Sequence, residues 1–220
     1  MKLNEVNEMP SGLLEASALD LKKILGAPTL IHLPGELSPP LFVSVLLHGN
    51  ETTGFFAMQK LLREYKGKTL PRALSLFIGN VSAAEYNLRR LDYQSDYNRI
   101  WPGSEEAHTP EHTLAESVFQ KMRAKGVFAS LDIHNNTGKN PYYACVNRTD
   151  VEFLNLASLF SDIVVYHLYP KGIQSFAFSQ LAPSLTLECG LSGEKQGIED
   201  TSRFIKSCLN LQSLTNKNKN

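Results

Sequence analysis

Apolar positions along the chain follow two spacings. Compact runs rich in Leu, Val, Ile and Phe lie at 29–33, 41–47, 74–78, 128–133, 142–146, 163–166 and 184–187. Their length and β-branched content predict strands. Between them, at 13–25, 52–65, 111–125, 151–160 and 197–211, apolar residues recur at the spacing of helices. Pro110 at one end and Gly126 at the other bracket the third of these in the order a helix prefers. Strands alternating with helices predict an α/β fold: a three-layer sandwich with helices on both faces of a mixed, mainly parallel sheet. Ligands in such folds bind beyond the carboxyl ends of strands. Strand exits are therefore where chemistry is sought.

Three exits carry acid or imidazole groups. The 41–47 run leads into "HGNE", with His48 and Glu51; the 128–133 run carries "LDIHNN", with Asp132 and His134; the 184–187 run leads into "ECG", with Glu188. A hydrolytic zinc site takes three protein ligands, commonly two histidines and a carboxylate, and leaves a fourth position for water. His48, Glu51 and His134 make such a set, with Gly49 giving the first pair a turn in which the backbone bends freely. A carboxylate near the metal but not bound to it takes a proton from water and returns it to the leaving group, the role predicted for Glu188. Asp132 lies two residues before His134, so both point to one side of a strand, and it is placed to accept the second ring proton of a ligand histidine.

Each group also has a plain alternative. His48 alone reads as a satisfied polar residue at a strand end. Glu51 alone favours the start of the 52–65 helix through the helix dipole, and Glu188 alone pairs with a surface lysine. That alternative needs four separate explanations where a metal site needs one. A second constellation, "NLRRLDYQSDYNRIWPG", puts Arg89, Arg90, Asn98 and Arg99 in a polar loop. Arginine forks suit a substrate carboxylate; the alternative is a solvated loop of pairs with Asp92 or Asp96. In "HTPEH", His108 and His112 suggest a second metal, but Thr109 and Pro110 read better as a helix cap.

Composition narrows the partners. Acidic and basic residues balance at 22 each and no basic block is present, which disfavours nucleic acid and anionic membrane surfaces. The longest apolar run is far short of the roughly 20 residues that span a bilayer. The N-terminus lacks a signal-peptide core, so a cytoplasmic location is expected. Three cysteines without a CxxC pair fit reduced packing residues. One catalytic domain over 1–210 and a disordered tail over 211–220 are expected.

"HGNE", "SDYNRIWPG", "LDIHNN" and "TLECG", in this order, resemble the succinylglutamate desuccinylase/aspartoacylase family of zinc hydrolases, relatives of the zinc carboxypeptidases. The resemblance implies a carboxypeptidase-like sandwich with an eight-stranded sheet and one Zn2+ per chain held by His48, Glu51 and His134. It makes Glu188 the general base and acid, and gives substrate contacts to Asn98 and Arg99. An upstream arginine, Arg90 or Arg89, polarises the scissile carbonyl. The implied substrate is a small molecule or short peptide bearing a carboxylate, such as an N-acyl amino acid. Family members commonly carry a further C-terminal β domain. The aspartoacylase type also has an arginine before the position of Glu188, where this chain offers Lys171. Two other functions fit the same residues: a metallocarboxypeptidase acting on small peptides or cell-wall fragments, and a metal-bound ligand-binding domain without turnover.

Overall fold

The computed structural model describes residues 2–215. In chain order its elements are β1 (Asn4–Val6), α1 (Leu21–Leu25), β2 (Thr29–Leu33), β3 (Gly35–Val45), α2 (Thr53–Glu64), β4 (Leu70–Ile78), α3 (Val81–Ala84) and α4 (Pro110–Lys125). There follow β5 (Ala129–Asn136), β6 (Tyr143–Val146), α5 (Val151–Ser158), β7 (Val164–Tyr166), α6 (Gln174–Phe178), β8 (Ser184–Leu191) and α7 (Lys195–Asn210). The strands form one eight-stranded sheet in the order β1-β2-β4-β3-β5-β8-β6-β7. The four central strands β4, β3, β5 and β8 run parallel, and β2 and β6 flank them antiparallel. This is the mixed, mainly parallel sandwich the sequence predicts.

Alternation along the central strands separates two layers. Leu41, Val43 and Val45 of β3, Leu131 and Ile133 of β5, and Leu185 and Leu187 of β8 enter one apolar cluster with α1, α2, α5 and α7. Each fully buried aliphatic side chain there stabilises the fold by roughly 1.5–3 kcal/mol. The opposite face meets α4 and α6. Its apolar part centres on Phe42, Trp101 and Phe178, with the Phe42 and Phe178 rings stacked at 4.4 Å. Along β5 and β8 the same face is polar: Ser130, Asp132, His134, Ser184, Thr186 and Glu188.

Two expectations are corrected. The 13–25 helix is in fact a five-residue helix, α1, preceded by a short 3-10 turn. Ser17 starts a new capped turn there, its hydroxyl donating to Asp20 Oδ2 at 2.6 Å, which breaks the apparent periodicity. The strands β5 and β8 also extend further than their apolar runs, so His134 and Glu188 lie within strands rather than after them, whereas β3 begins earlier, at Gly35, and ends at Val45. "HTPEH" caps α4 as expected: Thr109 is the N-cap and His112 completes a capping box. Of the tail expected at 211–220, Leu214 is buried in the core and its carbonyl accepts from Asn155 at 2.9 Å; residues 216–220 lie outside the described residues.

Candidate metal centre

His48, Glu51 and His134 are brought together from two adjacent parallel strands, with ligand-type atoms all within 4.8 Å of one another. All three are buried. The β3 exit carries His48 and Glu51 on a tight turn, with the Glu51 N–H donating to the His48 carbonyl at 3.1 Å. Leu46, just before it, has φ 55°, a strained conformation for a bulky residue. Gly49 is needed for close approach more than for bending. A Cβ there would lie 2.3 Å from Ala84 N and 2.7 Å from Leu88 O, and the Gly49 N–H donates to Arg89 O at 3.1 Å. The turn is thereby fastened to the loop that carries Arg89.

The ring contacts are the informative geometry. His48 Nδ1 lies 2.8 Å from Glu51 Oε1 and His134 Nδ1 lies 2.7 Å from Glu51 Oε2. On the far sides, His48 Nε2 lies 2.9 Å from Asp96 Oδ1 and His134 Nε2 lies 2.8 Å from Asp132 Oδ2. A neutral imidazole has one N–H and one lone pair, so a ring flanked by two carboxylates needs a second proton or a cation between it and one of them. If Asp96 and Asp132 accept the Nε2 protons, both Nδ1 lone pairs face the Glu51 carboxylate, where a shared cation satisfies all three groups. This donor set fits one metal ion.

Supporting contacts fix the carboxylates. Ser44 donates its hydroxyl to Asp132 Oδ1 at 2.6 Å. The Asn98 N–H donates to Asp96 Oδ1 at 2.8 Å and the Asn135 N–H donates to Glu51 Oε2 at 3.1 Å. Arg89 donates to Glu51 Oε1 and to Asp96 Oδ2, both at 3.1 Å. Burial pushes the Glu51 carboxyl upward, but the charges and hydrogen bonds of His134 and His48 outweigh this and hold it well below the usual range. Asp96 is also held low against burial, by His48, the Asn98 N–H and Arg89. Burial alone would lower His134, yet Asp132 and Glu51 raise it well above the ordinary imidazole value.

Glu188 is in register with His134 across β5 and β8, on the same face and half-buried. Burial raises its carboxyl above the ordinary glutamate value, the charges of Glu51 and Asp132 adding to this and His134 opposing it. Tyr143 is its register partner on β6, and its hydroxyl reaches toward Asn136 Oδ1 at 3.4 Å.

The arginine loop divides. Arg89 reaches Glu51 and Asp96, whereas Arg90 donates to the Gln94 carbonyl at 2.7 Å. Asn98 is buried, its amide 3.2 Å from His134 Nε2 and its Oδ1 accepting from the Gln174 N–H at 3.0 Å. Arg99 donates to the Asn98 carbonyl at 2.6 Å. Lys171 pairs with Glu105 at 2.9 Å. The residue that sequence reasoning missed is Asp96. It reads as an arginine partner, and it does pair with Arg89, but it also holds the ring of His48; the only signal was its place beside Asn98 and Arg99.

With this geometry in place, comparison with known proteins is decisive about kinship. The model of the succinylglutamate desuccinylase/aspartoacylase catalytic domain matches residues 38–214. The chain belongs to this family. Succinylglutamate desuccinylase from Vibrio parahaemolyticus superposes with a TM-score of 0.68 at 16% identity, covering 82% of this chain and 61% of that one. The enzyme of that name from Chromobacterium violaceum gives 0.64 at 20% identity, covering 79% and 61%. A Shewanella baltica protein provisionally described as a metallopeptidase gives 0.63 at 16% identity, covering 82% of this chain and 80% of its own. At these identities the structures share the desuccinylase fold. The matches span 61% of the length of each of the two desuccinylases. No curated protein matches it in sequence. No helix among the described residues is long and apolar enough to cross a membrane.

Proposed function

We propose that this member of the desuccinylase/aspartoacylase family is a zinc-dependent hydrolase. Its substrate is an N-acyl amino acid or a similar small carboxylate-bearing molecule, cleaved at the amide bond. The observation that carries the proposal is the flanking of both histidine rings by carboxylates, with the two Nδ1 atoms converging on Glu51. A zinc ion held by His48, Glu51 and His134 would supply Lewis-acid polarisation and a water that ionises near neutral pH. Asp96 and Asp132 keep the two rings in the tautomer whose Nδ1 lone pairs point inward.

Glu188 takes the proton from the attacking water and delivers it to the leaving amine. Its raised pKa suits both tasks, since a base poised nearer the working pH also gives the proton back readily. Of the two arginines, Arg89, which contacts Glu51, is assigned the developing oxyanion; with a cation on Glu51 it would be free to turn to the substrate. Asn98 and Arg99 contact the substrate, Arg99 offering its fork to the carboxylate.

A metallocarboxypeptidase-type action on short peptides is the second reading. It is favoured by the likeness to the Shewanella baltica protein, which the chain matches over 80% of that protein's length. A panel of N-acetyl and N-succinyl amino acids and short peptides, assayed after chelation and zinc reloading, separates these. Turnover of the N-acyl amino acids, lost on chelation and restored by zinc, is expected. Turnover of peptides alone favours the second reading. Stoichiometric zinc with no turnover of either class leaves a ligand-binding domain.

A further inference from the structure

We infer that the chain forms a two-fold symmetric dimer through the free edge of β7. The two edges of the sheet are protected very differently. At the β1 edge, Glu5 is paired with Lys121 at 2.7 Å and contacts His32 at 3.1 Å, the kind of charge that blunts an edge against pairing. At the other edge, Val164, Val165 and Tyr166 pair with β6 on one side only and are all exposed. Ile163, Leu168 and Tyr169 extend this exposed apolar strip at both ends.

Beside the strand, α5 and its C-cap add Val151, Leu154 and Leu159, also exposed. Nine of the thirteen exposed large hydrophobic side chains among the described residues thus fall between positions 151 and 169. Over that stretch the only charged side chains are Glu152 and Asp162. Monomers rarely expose this much apolar surface at one edge of a sheet without a partner.

A second copy is the occupant that fits. An antiparallel copy of β7 related by a two-fold axis at Val165 sets Val164 opposite Tyr166 of its mate, pairing β-branched with aromatic residues. It also satisfies the outward N–H and C=O groups in an isologous interface. With so few charges, the strip offers a charged foreign partner no complement, whereas homodimer interfaces are the apolar ones. At their fractional exposures, the nine side chains present on the order of 700–800 Å² per protomer, close to the roughly 800 Å² a stable interface takes from each partner.

Sedimentation equilibrium on the whole chain, combined with hydrogen exchange on residues 163–169, tests this. A mass twice 24.5 kDa is expected at micromolar concentration, with amide protection of Val164–Tyr166 that fades on dilution. Val165→Lys places a charge on the axis. It should raise the dissociation constant at least about 100-fold and remove that protection while leaving the circular dichroism spectrum unchanged. A single-chain mass at 100 micromolar overturns the inference, as does a dimer whose stability and protection Val165→Lys does not alter. Concentration-independent exchange in the unmodified protein likewise overturns it, whether or not the variant folds.

Discussion

The two faces of the central strands are built from the same backbone and put to opposite uses. On one face Leu131, Ile133, Leu185 and Leu187 are buried among apolar neighbours and make no directional contacts. On the other face of the same strands, Asp132, His134, Thr186 and Glu188 alternate with them. The buried polar groups there are held by specific bonds: Ser44 to Asp132, Gln174 to Ser130 at 2.7 Å, and Thr186 to Ser175 at 2.8 Å. The apolar face stabilises by area, which tolerates reshaping. The polar face stabilises only where each group finds its partner, because an unpaired buried polar group costs about 1–3 kcal/mol. Stabilisation by area and stabilisation by pairing therefore alternate along one strand, residue by residue.

Substitutions on the two faces should break apart accordingly. The largest effect belongs to Glu188→Gln, expected to lower turnover about 10²–10⁴-fold while zinc content, measured by elemental analysis, stays that of the wild type. Its neighbour one position back gives the opposite result. Leu187→Ala should cost about 2–5 kcal/mol in denaturant unfolding, with the turnover of the molecules that remain folded little changed.

The apolar face was the more legible from sequence. Runs such as 41–47 and 184–187 announce strands by composition, and the acid or imidazole at each exit stands out against them. What stayed hidden depends on distant partners. β1 is three residues, two of them polar, and exists because Thr29–Ile31 offers it a parallel edge. Periodicity over 13–25 suggested a continuous helix because a local cap leaves no trace in apolar spacing. Asp96 looked like a loop residue because His48 is 48 positions away. Which arginine faces Glu51 and Asp96 is decided by how the 83–89 backbone seats on Gly49, and spacing carries no information about that.

Asp96 sharpens the comparison further. Asp132→Asn and Asp96→Asn each remove the carboxylate charge beside a histidine ring without touching His48, Glu51 or His134, and each should weaken zinc affinity about 10–100-fold, measured by competition with a chromogenic chelator. A purely structural polar layer would instead lose stability with unchanged affinity.

The smallest expected effect concerns pH. In the zinc-free protein the folded Glu188 carboxyl is raised above its unfolded value, so the folded state binds the proton more tightly. This term destabilises the fold increasingly as pH rises from the ordinary glutamate value through the raised one. Glu188→Gln should remove that slope, leaving the chelated variant slightly more stable than the chelated wild type near neutral pH, as followed by urea unfolding between pH 4 and 8.

The central claim is that His48, Glu51 and His134 hold one catalytic zinc. Equilibrium dialysis of the purified chain against buffered zinc, beside Glu51→Gln, tests it most directly. One zinc per chain is expected for the wild type, with affinity falling at least about 100-fold in the variant. Binding well below one zinc per chain, or equal affinity in both proteins, would contradict it.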